Sequence, residues 1–495
     1  MSSSPFDPLT TNAVDLQRML EAGQITSVQI VESYLQQIER HEPALNALIS
    51  ISPAETLRRI AAELDEERRQ GRVRGPLHGI PIVLKDCFIT ASDLGMPTTA
   101  GAVVFAEAKA SKNAAIVQRM LNAGLIILAK GNMTEYAGMK TSSMMPGFSP
   151  QGGQTMSPYV GKMKENERLL GHTAPGGSST GPAVSVAAGY SPLAMGTETI
   201  GSIVTPSVRT GLYALKPTVG AQDATGMYRM TDFYDSPGPM AKCATDVMNM
   251  AELLLGRPLR SADTGTWSGV GVAFLDPTKW SMAEAMCEQF EGTAEQMKDE
   301  YEALVEQVKT LGCTVQYPAT VGELSELTVE GKEVLVPIAY WDFNNICIDA
   351  FIKSFDECPV TNLDEIIKYN EENKMKAMPA PFEEQNDLIK ALGCNEAPEV
   401  IAKQKEGLRA VGKKILDTVL DQEGIDLIAA PGDSPLCIHA AASGYPVATV
   451  PLGQLKYNKR PFGVCLVAKE NNEEALLRFM AAYERTAAPR PVPAI

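Results

Sequence analysis

Histidine is scarce in this chain: four in 495 residues, His41, His78, His172 and His439, with none spaced as a His-Glu-x-x-His metal motif. A histidine-based α/β-hydrolase triad is not indicated, and neither Ser-x-x-Lys nor Cys-x-x-Cys occurs. The nine cysteines are scattered, which argues against a zinc site or a disulfide framework and for reduced, buried thiols. Positive charge is also in deficit. The net charge of −16 argues against nucleic acid as a partner, since phosphate binding needs basic surface. No apolar run approaches the roughly 18–20 residues of a membrane span. The opening residues, Met1 to Asp7, carry neither a basic nor an apolar signal region, so a cytoplasmic location is expected. Gly269-Val270-Gly271 lacks the third glycine of a dinucleotide fingerprint.

Glycine, in contrast, is concentrated where it is informative. Gly176-Gly177-Ser178-Ser179-Thr180-Gly181 is followed by an Ala-rich stretch and then by Gly196-Thr197-Glu198-Thr199-Ile200-Gly201-Ser202. Two glycine-rich turns, each carrying a hydroxyl, suit close backbone approach and chemistry at a carbonyl.

The surrounding pattern is α/β. Thr26 can cap a helix over 26–41, and a charged helix is predicted over 53–70 with Ile60, Ala61 and Leu64 inward. Gly79 to Asp86 reads as a buried strand, 114–123 as a helix closed by Gly124, and 125–130 as a second buried strand. Helices are predicted over 241–256 and 283–311, and strands over 270–274, 426–430 and 464–467. Residues 137–175 have no clean period and are long for a loop, which suggests a segment draped over the site. The chain reads as one domain, 1–495, with an N-terminal helical region over 1–70 and a helical insertion or cap over 320–425.

A serine hydroxyl is a weak nucleophile until a base takes its proton. Without a suitable histidine, a neutral lysine can serve, provided its pKa falls from about 10.4 to near neutrality. Lys85, at the end of an apolar strand, is placed for such desolvation. It is equally placed to pair with Asp86 or to reach solvent.

These residues resemble the amidase signature family. The resemblance rests on Gly176 to Ser179, on Gly196 to Ile203 with Pro206, and on Leu215-Lys216-Pro217-Thr218. It extends to Gly75 through Pro81 with Lys85-Asp86, Pro97 to Gly101, Gly131 to Ala137, and Asp235 to Met240. Ser443 to Pro446 and Pro461 to Val464 look like the family's C-terminal strands. The likeness spans roughly 26–260 and 425–485, and 152–159 is most similar to a fungal branch. It implies a large mixed, twisted β-sheet covered by helices on both faces. Carried over by position, it makes Ser202 the nucleophile, Ser178 the bridging relay and Lys85 the base. It puts a cis peptide at Gly177–Ser178 and an oxyanion hole on the amides of Thr199, Ile200, Gly201 and Ser202. Gly177 and Ser179 would be supporting residues. No metal or organic cofactor is implied, and the partners expected are a small amide substrate and, at most, a second copy of the chain.

Three positions depart from the family: Glu198 stands for its Asp, Ile200 for a Gly, and Val204 for the Arg that pairs with that Asp. Thr180 stands at a further glycine position. Arg209 is the expected substitute partner for Glu198. The function expected is hydrolysis of a small acyl amide. The alternatives are an amidotransferase subunit, an acyl transferase using an amine or carbon nucleophile, and a catalytically silent binding protein. Met139, Met144 and Met145 could line an apolar pocket or simply pack.

Overall fold

The computed structural model describes every residue except 1–3, 260–264, 284, 285, 289 and 291. Its centre is a sheet of eleven strands. In chain order these are β1 (Leu48–Ile51), β2 (Pro81–Lys85), β3 (Ile126–Gly131), β4 (Leu193–Glu198), β5 (Tyr213–Lys216) and β6 (Ser236–Ala241). They continue as β7 (Gly271–Leu275), β8 (Thr314–Ala319), β9 (Leu427–Pro431), β10 (Val447–Gln454) and β11 (Pro461–Ala468). The spatial order is β1-β3-β2-β4-β6-β5-β10-β11-β9-β7-β8. β2 runs parallel to both β3 and β4, whereas β4–β6 and β10–β11 are antiparallel, so the sheet is mixed.

Strand burial follows position. β2 to β7 are buried throughout, and only the outermost strands carry exposed residues, Ile51 in β1 and Thr314 and Pro318 in β8. Strands covered on both faces need continuous apolar runs, and Pro81 to Leu84 and Ile126 to Ala129 supply them. The Thr180–Ala187 helix, every residue buried, packs against β4, β2 and β3.

Most predicted elements lie within a few residues of the observed ones. Thr26 caps the Ser27–Leu45 helix, its hydroxyl accepting from the Gln29 amide at 3.2 Å. That helix runs four residues past its predicted end and takes in Pro43 near its close. Leu48–Ile51, inside the stretch read as helical, adds an edge strand. The helix expected over 283–311 starts only at Thr293, because Gly292 sits at φ 79° and breaks the run. Positions 284, 285, 289 and 291 of that expectation lie outside the described residues. Ser443 to Pro446 is not strand: Ser443 ends the Leu436–Ser443 helix, Gly444 caps it at φ 73°, and β10 begins at Val447.

The stretch between β8 and β9 is mostly helical, ending in the Pro398–Leu420 helix. It packs onto the 137–155 segment. The Asp387 amide donates to Lys140 O at 3.1 Å, the Lys140 ammonium donates to Ala377 O, and the Phe148 and Phe382 rings meet at 4.7 Å.

Candidate active site

β2 and β4 lie side by side in parallel, Leu84 opposite Met195, which brings Lys85 next to Thr197. Lys85 is fully buried, and Nζ donates to Ser178 Oγ at 2.8 Å, Thr197 Oγ1 at 2.9 Å and Thr197 O at 3.2 Å. Ser178 Oγ in turn donates to Ser202 Oγ at 3.1 Å. Three groups separated by up to 117 residues therefore form one unbroken hydrogen-bonded line from amine to hydroxyl to hydroxyl. Burial pushes the Lys85 amine down to about 8, with Cys87, Asp235 and Glu198 acting in the opposite direction.

The first turn is tight. The Gly177–Ser178 peptide is cis, and a Cβ on Gly177 would sit 2.9 Å from Pro146 Cβ, Thr134 Oγ1 and Thr180 Oγ1. Only glycine fits there. Ser179 joins the two turns: its amide donates to Ser202 O at 3.1 Å, and its hydroxyl donates to Thr197 O at 2.9 Å and accepts from the Thr197 amide at 3.2 Å. Gly177 to Gly181 fits the spacing Gly-x-Ser-x-Gly around Ser179. Ser179 Oγ is engaged on both sides by Thr197, so this run is no nucleophile elbow.

The second turn leads from β4 into the Val204–Arg209 helix. Gly201 adopts φ 76°, and the amides of Thr199, Ile200, Gly201 and Ser202 donate to no other group among the described residues. The Ile200 side chain, 39% exposed, projects from this turn. Glu198 Oε2 accepts from the Ile203 and Val204 amides at 2.7 and 2.8 Å, capping the start of the helix.

Arg209 does not pair with Glu198. Its Nε and Nη2 bind the Asp433 carboxylate at 3.1 and 3.0 Å, and its other donors reach Gly171 O, Ala174 O and Leu170 O. It sits at the far end of the helix that Glu198 caps, so its side chain belongs to another cluster. Glu198 satisfies one oxygen with backbone amides instead.

Two residues with no assigned role from sequence also belong here. Thr197 holds Lys85 Nζ through both its hydroxyl and its carbonyl. Asp235 accepts from the Met230 amide at 2.7 Å, and burial raises its carboxyl to about 6. Both lie inside motifs visible in the sequence, but nothing local marks their side chains. Met139, Met144 and Met145 are all buried, and Met139 joins the main core. No group of three or more His, Cys, Asp or Glu residues gathers as a metal site among the described residues, and no described helix is long and apolar enough to cross a membrane.

Residues 29–327 match the profile of the Amidase family, more than half of the chain. The chain belongs to the amidase family. A Schizosaccharomyces pombe protein named as a candidate amidase is 29% identical over 520 aligned positions, covering 95% of this chain and 84% of that one. The native peptide amidase of Stenotrophomonas maltophilia superposes with a TM-score of 0.85 at 28% identity, covering 98% of each chain. A glutamyl-tRNA(Gln) amidotransferase subunit from Symbiobacterium thermophilum is 37% identical, but over 51% of this chain and 48% of its own. The protein is thus an amidase-family hydrolase with the amidase fold along nearly its whole length.

Proposed function

We propose that this amidase hydrolyses the carbon–nitrogen bond of a small acyl amide through an acyl-enzyme on Ser202. The observation that carries the reading is the continuous line Lys85 Nζ–Ser178 Oγ–Ser202 Oγ, with successive separations of 2.8 and 3.1 Å. In its neutral form Lys85 takes a proton from Ser178 as Ser178 takes one from Ser202. The Ser202 oxygen then attacks the amide carbon. The free amides of residues 199–202 receive the negative charge on the carbonyl oxygen, where loss of one donor typically costs about 3 kcal/mol. Collapse of the tetrahedral intermediate breaks the C–N bond, and the proton held by Lys85 returns through Ser178 to the leaving nitrogen. Water, activated by the same relay, releases the acid and regenerates Ser202.

Stand-alone hydrolysis is favoured over the amidotransferase reading because the amidases align along almost the whole chain and the amidotransferase relative over only half. An acyl transferase would share every step until an amine replaced water. The deciding experiment is covalent trapping with a fluorophosphonate probe. Wild type is expected to label at Ser202 and Ser202→Ala not at all; equal labelling of the two would refute the nucleophile. Product analysis with added amines then separates hydrolysis from transfer.

A further inference from the structure

The Arg209 guanidinium is fully buried and matched donor for donor. Nε and one Nη2 hydrogen go to the two oxygens of Asp433, at 3.1 and 3.0 Å. The other Nη2 hydrogen reaches Leu170 O at 2.7 Å, and Nη1 reaches Gly171 O at 2.6 Å and Ala174 O at 2.9 Å. Every N–H of the fork is thus used. Burial pushes the Asp433 carboxyl up, but Arg209 and Arg460 outweigh it and hold the carboxyl below its usual range. The pair is therefore ionised at neutral pH, and the three carbonyls receive charge-assisted hydrogen bonds. Asp433 follows closely on β9, so the anchor is fixed to the central sheet.

The backbone that Arg209 holds leads directly into the relay turn. Leu170 to Ala174 is followed by Pro175, Gly176, Gly177 and Ser178. The Arg209 side chain runs across Gly176, where a Cβ would sit 3.0 Å from Arg209 Cδ and from Thr205 Cγ2 and 3.1 Å from Pro206 N. The segment before Ser178 consequently lies flat on the Val204–Arg209 helix, which follows Ser202. The nucleophile turn has supports of its own: Glu198 on the Ile203 and Val204 amides, and the Thr205 amide on Gly201 O at 2.8 Å. Ser179 links the two turns beside the serines. Arg209 links the segment before one turn to the helix after the other.

We infer, resting on the Lys85–Ser178–Ser202 relay proposed above, that Arg209 is a positioning residue for that relay. It holds the segment before Ser178 against the helix after Ser202 and so keeps the two hydroxyls 3.1 Å apart. That separation is already long for two hydroxyls, and a slip of about 0.5 Å parts them. Arg209 acts through Ser178 because its three carbonyl acceptors all lie on the segment that leads to Ser178.

The test is the rate of fluorophosphonate labelling in full-length wild type, Arg209→Lys, Ser178→Ala and the double variant. Arg209→Met risks unfolding, since it strands the buried Asp433, so Arg209→Lys carries the test. The lysine keeps a cation for Asp433, but one nitrogen with three hydrogens cannot span acceptors on two elements. Folded Arg209→Lys is expected to label about 10–10²-fold more slowly than wild type. In the Ser178→Ala background the same substitution should change the rate by less than about twofold, because the group that Arg209 positions is already gone. A side chain that only stabilises the fold would not produce this dependence on the Ser178 hydroxyl. The inference is overturned if folded Arg209→Lys labels within about twofold of wild type, or if it slows labelling equally with and without that hydroxyl. Ser178→Ala labelling as fast as wild type would instead remove the relay itself, and the inference with it.

Discussion

The pH dependence of Ser202 reactivity follows from how Lys85 is buried. At a pKa of about 8, about one tenth of Lys85 is neutral at pH 7 and about nine tenths at pH 9. A lysine at the solvent value of about 10.4 would be neutral in only about 0.04% of molecules at pH 7. Burial therefore enriches the competent base about 250-fold, on the order of 3 kcal/mol. Only the deprotonated amine can accept a proton, so the sign is fixed: reactivity rises with pH through about 8 and then levels off. The assay is the second-order rate of fluorophosphonate labelling from pH 6 to 9.5, which needs no knowledge of the natural substrate. We expect about a tenfold gain between pH 7 and 9. Lys130 and Lys216 are also lowered to about 8 by burial, so the assignment rests on Lys85→Met. That variant should label about 10²–10⁴-fold more slowly and lose the slope. A flat wild-type profile, or a slope that survives in folded Lys85→Met, would refute the reasoning.

Ser178→Ala should leave Ser202 in place but slow its labelling by about 10²–10⁴-fold, because the line from amine to nucleophile is cut; a rate within a factor of two of wild type would remove Ser178 from the relay. Arg209→Met removes one side of a buried ion pair and strands three carbonyls, so urea unfolding should show a loss of about 3–5 kcal/mol. A loss below about 1 kcal/mol would mean that the Asp433 pairing counts for little. Glu198→Ala deletes the acceptor for the Ile203 and Val204 amides, which should cost about 2 kcal/mol and slow Ser202 labelling as the turn loosens. Thr26→Ala should cost about 1 kcal/mol through loss of the helix cap, with labelling unchanged because the Thr26 hydroxyl serves the Gln29 amide of its own helix.

Features written in short windows of the sequence were legible there. The continuous apolar run before Lys85 specified a buried strand, because a strand covered on both faces has no room for alternation. Thr26 marked a helix start, and the glycine-framed serines marked two tight turns. Even locally the reading had limits. The helical spacing before Thr293 pointed to a longer helix, and one glycine in a left-handed conformation decided otherwise. Partners of buried charges were a different matter. Arg209 and Asp433 are 224 residues apart and meet only because the Val204–Arg209 helix lies against the loop after β9. Proximity along the chain pointed instead to Glu198, one of whose oxygens is held by the backbone of its own turn. Thr197 likewise became a partner of Lys85 only through the register of β2 against β4. The sequence by itself determined which residue types stand at the turns and which segments must be buried. The tertiary structure alone decided which polar groups face one another, because burial makes pairing obligatory but leaves the choice of partner to packing across the sheet.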